Sequence, residues 1–102
     1  MISLLPFKYR IFHFISTVKG EVMVNDILRG LKDEYGTERQ FNKKQIKYHL
    51  DSLVAVNMIQ ITTAELSTEG EVEMKYKITD FGLSRLKYLP AGYQNMKTNI
   101  SA

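Results

Sequence analysis

The chain has 102 residues, 44% of them apolar and 25% charged, ordinary proportions for one globular domain that buries roughly two-thirds of its unfolded surface. It contains no cysteine, which excludes a disulfide framework and a thiolate metal site. The net charge of +3 argues little for a polyanionic partner by itself.

The opening MISLLPFKYRIFHFI is apolar, but Lys8, Arg10 and His13 interrupt it. It also lacks the basic n-region, unbroken apolar core and small-residue cleavage site of a signal peptide. A cytoplasmic location is the expectation. Pro6 suits the first turn of a helix, where its missing N–H is not needed. Phe7, Ile11, Phe14, Ile15 and Val18 then recur at helical spacing, and Gly20 is the expected stop. Tyr9 and Phe12 fall off that stripe. Glu21–Val24 reads either as a short strand or as an extended link.

Asn25 is the expected N-cap of a second helix carrying Ile27, Leu28, Leu31 and Tyr35 and closed by Gly36. After the connection TERQF, Asn42 caps a third helix with Gln45 at N3, a variant of the capping box. Its buried stripe is Ile46, Leu50 and Leu53. Met58–Leu66 reads as a strand, Ser67–Glu71 as a turn, and Val72–Ile78 as a half-buried strand in which Val72, Met74, Tyr76 and Ile78 alternate with charge. Thr79 caps a last short helix with Phe81, Leu83 and Leu86, ending near Pro90. Residues 90–102 have no periodicity and read as a flexible tail behind a single domain of residues 1–89.

Charge is polarised along this order. Arg39, Lys43, Lys44 and Lys47 lie in a segment without acids, whereas Glu65, Glu69, Glu71 and Glu73 lie in one without bases. At about 100° per residue, Lys44, Tyr48, Asp51 and Ala55 share the side of the third helix opposite its apolar stripe, with Gln45 and Lys47 flanking.

Two segments carry a resemblance. Asn42, Ile46, His49-Leu50, Leu53, Asn57 and Met58-Ile59 occupy the places of a pattern found in small winged-helix regulators such as the MarR and PadR families. YKITDFGLSRL, Tyr76 to Leu86, is similar to the segment that carries their last wing strand into its closing helix. Together they lie in a resemblance from about Phe7 to Leu89. It implies an α+β winged helix–turn–helix: a three-helix core, a β-hairpin wing and a short C-terminal helix.

The resemblance also implies function: sequence-specific binding of double-stranded DNA by a small transcriptional regulator, with the third helix in the major groove. Lys43, Lys44 and Lys47 suit phosphates or guanine acceptors, and Gln45 suits adenine. Asn42 suits a phosphate where capping leaves it free. Arg39 reaches toward the backbone from the preceding loop, and Tyr48 lies on the exposed side or packs on a neighbour. The acidic wing tip Glu69-Gly70-Glu71 would be repelled by DNA.

A homodimer is expected, because Phe7, Tyr9 and Phe12 exceed what one core-facing stripe needs and Tyr88 and Leu89 can join them. The alternative is a first helix covered on two sides by its own domain. A second function fits too: a winged-helix protein–protein adaptor using the acidic wing, Glu69, Glu71 and Glu73. RNA binding through the same helix is a third. His13 and His49 read as packing residues, and no metal or other cofactor is expected. With no nucleophile motif, no glycine-rich phosphate loop and no histidine near a nucleophile, the chain is not expected to be an enzyme.

Overall fold

In the computed structural model, residues 6–39 and 41–89 are described; the segment expected as a tail, residues 90–102, lies outside them. Pro6 opens α1, Phe7–Thr17, followed by α2, Val24–Tyr35, and α3, Lys43–Ala55. An antiparallel hairpin follows, β1 (Ile59–Leu66) and β2 (Val72–Ile78), then the short α4, Asp80–Arg85, and a single 3-10 turn, Leu86–Tyr88. The architecture is α+β, three helices and then a hairpin closed by a short helix.

Two helix boundaries differ from the sequence expectation for local reasons. α1 ends at Thr17, before Gly20. The Ser16 and Thr17 hydroxyls donate to the His13 and Phe14 carbonyls, a side-chain competition that weakens a helix end. α2 begins at Val24, with Met23 rather than Asn25 as its N-cap. The Asp26 carboxylate accepts the Met23 backbone N–H at 2.9 Å, so the cap is supplied from inside the first turn.

α1 is the central helix, in contact with α2, α3 and β2. Ile11, Phe12 and Ile15 are buried in one cluster with Ile27 and Leu31 of α2, Ile46, Leu50 and Leu53 of α3, and Ile59 and Tyr76 of the hairpin. The sequence expectation placed Phe7 and Phe12 at a surface shared by two copies. Phe7 and Phe12 are buried within the domain. The Phe7 ring sits 5.0 Å from Tyr35 and edge-on to His49 at 5.6 Å. Tyr9 and Tyr88 are exposed, and Leu89 packs partly against the core.

Arg10, which interrupts the apolar pattern, is also buried. Its guanidinium donates to both Glu34 carboxylate oxygens, at 2.8 and 2.9 Å, and to His13 Nδ1 at 3.1 Å. The paired charge ties α1 to α2. Gly30 completes the contact, because a Cβ there would run into the Phe14 ring.

Val22 answers the open question over Glu21–Val24. It forms a single antiparallel bridge with Tyr76, each N–H donating to the other carbonyl at 2.8 Å. Glu21 accepts hydrogen bonds from the Thr62 and Thr63 hydroxyls. These bonds hold its carboxyl below the usual range, against a smaller opposing effect of desolvation. Thr62 is the extra residue of a β-bulge between Ile61 and Thr63. The bulge keeps Ile59/Ile78, Ile61/Tyr76, Ala64/Met74 and Leu66/Val72 as one set of facing pairs. Gln60/Lys77, Thr63/Lys75 and Glu65/Glu73 form the other set. Burial fades along the first set from Tyr76 to Val72, so the hairpin tip projects beyond the helices.

Candidate nucleic-acid interface

The base of the site is the loop before α3. The Asn42 side chain accepts the Gln45 backbone N–H at 2.9 Å and donates to the Arg39 carbonyl at 2.9 Å. It therefore caps the helix and pins the preceding loop at once. Both ends of its amide are engaged, so the role left open for Asn42 at a phosphate falls to its neighbours. Arg39 is exposed on that pinned loop.

Ile46, Leu50 and Leu53 are fully buried and lock α3 to the core. The opposite side is in solvent: Lys43, Lys44, Lys47, Tyr48, Asp51 and Ala55 are all exposed. Tyr48 is 67% exposed and meets only the edge of His49 among the described rings, at 5.7 Å. Within the chain the Tyr48 ring is thus mostly in solvent. Gln45 is half-buried, less available than the lysines. A firmly seated helix thus presents three lysines and a tyrosine, with one carboxylate, Asp51, farther along.

His49 lies between this face and the core. Burial first, and Lys8 second, pull its pKa below the ordinary histidine value. Its ring is edge-on to Phe7. That is the packing role expected of it, and among the described residues no cluster of three or more metal-ligating side chains exists.

A cleft of about 170 Å³ opens beside the helix start. Lys43 and Lys47 line it together with Glu71 and Glu73 of the hairpin, and Met23, Met74 and Tyr76 add apolar surface. The acidic arm therefore stands next to part of the basic face. Sequence reasoning found both poles but not their adjacency, which depends on how the hairpin packs against α1 and α3.

A second basic feature was missed altogether. The Arg85 guanidinium lies 5.6 Å from the Phe81 ring centre and 4.4 Å from that of Tyr88. The spacing of Phe81, Arg85 and Tyr88 along one helical side was the available signal. No helix among the described residues is long and apolar enough to cross a membrane. Comparison of the chain with protein-family models and with curated proteins gave no match.

Proposed function

We propose that the chain is a winged-helix module that binds double-stranded DNA, with α3 in the major groove, and acts as a small transcriptional regulator. The observation that carries this reading is the outward face of α3. Lys43, Lys44, Lys47 and Tyr48 project from a helix whose other side is locked by Ile46, Leu50 and Leu53. Such a helix loses little freedom when it docks, and its first N–H groups favour a phosphate. The lysines supply counterion release, and their spread along the helix follows a groove wall. The hairpin takes the place of the wing. Its acidic tip contributes little to affinity in this reading, so the helix carries the contact. A second copy of the chain would double the number of contacts.

One observation favours a second reading, a protein-interaction module. Glu71 and Glu73 share a cleft with Lys43 and Lys47, a mixed surface better matched to a protein than to a polyanion. Binding of the full chain to labelled duplex DNA of random sequence, across a salt series, decides between them. A Lys44→Ala/Lys47→Ala double variant is measured alongside. The DNA reading expects a steep salt dependence whose slope falls by about two units or less in the variant. Absence of binding at low salt, or binding indifferent to both lysines, would turn the search to a protein partner.

A further inference from the structure

Two exposed patches stand at opposite ends of the hairpin and carry opposite charge. The first is on the last helix, seated at the hairpin base where the Thr79 backbone N–H donates to the Met58 carbonyl. There Phe81 and Tyr88 are 46% and 65% exposed, with the Arg85 guanidinium held against both rings. Lys87 lies 5.4 Å from the Tyr88 ring centre. Among the described residues no carboxylate pairs with Arg85.

The second patch is the hairpin tip. Leu66 and Val72 face each other there, 72% and 54% exposed. One register step inward, Glu65 lies directly across from Glu73. Like charges in that relation destabilise a hairpin, and among the described residues no base pairs with either. Glu65 and Glu73 point to the face opposite Leu66 and Val72, and that acidic face is complementary in charge to the Arg85 patch.

One chain cannot join them. β1 is eight residues long, so tip and base are about 20 Å apart. We infer that a second copy of this chain docks the Glu65/Glu73 face of its hairpin tip on the Phe81–Arg85–Tyr88 face, bringing the two carboxylates to the guanidinium between the rings. Aromatic and arginine side chains of this kind are the usual anchors of protein contacts. The flanking rings hold the guanidinium in place before a carboxylate arrives. The contact joins two different surfaces, so its partners are not interchangeable. It rests on the copy-to-copy part of the proposal above, with Tyr88 retained, and it forms without DNA.

The test is sedimentation velocity of the full chain without DNA, at low and high salt, for the wild type, Arg85→Glu and Glu65→Lys. Both substituted side chains sit in solvent, and matching thermal melts establish that the variants are folded. Wild type associates with rising concentration, and more weakly at high salt. Each single variant associates at least about tenfold more weakly. An equal mixture of the two variants recovers association, and so does the chain carrying both substitutions, because the charges are then exchanged across the contact.

A wild type that stays monomeric at low salt overturns the inference. So do single variants that associate like wild type, or failure of both the mixture and the doubly substituted chain to recover. Duplex binding by the single variants is measured separately at low salt. Its loss would count against the DNA reading, and its retention with failed association would count against this contact alone.

Discussion

Gly82 sits where the last helix meets the base of the hairpin. A Cβ there would collide with the Met58 carbonyl oxygen and lie 2.8 Å from Ile78 Cγ1. The Met58 oxygen is backbone and already accepts the Thr79 N–H, so it cannot swing aside. Gly82→Ala should therefore destabilise the fold by about 2 kcal/mol or more, in the upper part of the range for overpacking. Chemical denaturation that found the alanine chain as stable as wild type would show that the helix shifts freely instead. His49 makes a pH-dependent contribution at the same scale. Its folded pKa lies below the ordinary histidine value, through burial and then Lys8. The fold prefers the neutral ring, so the contribution is fully present above the unfolded value of about 6.5 and fades as pH falls toward the lower folded value. Thermal midpoints should drop as pH falls from 7 toward 5, and His49→Phe should drop less over that window. An equal drop in both would remove His49 as a source.

At the scale of elements, how much could be read in the sequence followed the range of the interaction. The Asn42 cap, the Ile46, Leu50 and Leu53 stripe, the β2 alternation and the Thr79 cap all act within a few residues, and each appears where the local pattern places it. The start of α2 was misplaced because Asp26 caps from within the helix, while Asn25 has the more familiar side chain for the job. The surplus aromatics of α1 were legible as a surplus, but only the packing on three sides shows where Phe7 and Phe12 go. Arg10 and Glu34 are 24 residues apart, and no local signal joins them. Their ion pair ties α1 to α2. Removing one partner of a fully buried pair costs about 3–5 kcal/mol. Here the Glu34 side chain is 33% exposed against 8% for Arg10, so solvent screens part of that loss. Glu34→Gln should cost about 1–2 kcal/mol, and Arg10→Met less than Arg10→Ala, because the aliphatic stem still packs. Urea unfolding of the three variants checks the order; a neutral Glu34→Gln would mean the pair is held by packing alone.

For the molecule as a whole, the arrangement that matters is the acidic hairpin beside the basic helix, since it bears on both proposed functions. If α3 lies along DNA, the cleft shared by Lys43, Lys47, Glu71 and Glu73 brings two carboxylates close to the phosphate chain. A carboxylate on the order of 10 Å from a phosphate in water costs about 0.4 kcal/mol. Two of them together weaken binding by about fourfold. Glu71→Gln/Glu73→Gln should therefore bind random duplex about fourfold more tightly at low salt. The gain should vanish as the Debye length shrinks below the separation, at a few tenths molar salt and above. The substituted positions are exposed, so stability should change little, which separates this effect from a change in folding. If the hairpin instead meets a protein, DNA affinity is insensitive to the pair of substitutions, because no phosphate passes near them. An unchanged low-salt affinity in a variant that folds normally would show that the acidic arm does not lie along the phosphate chain, and a docking of α3 that brings this arm to the groove would lose its support.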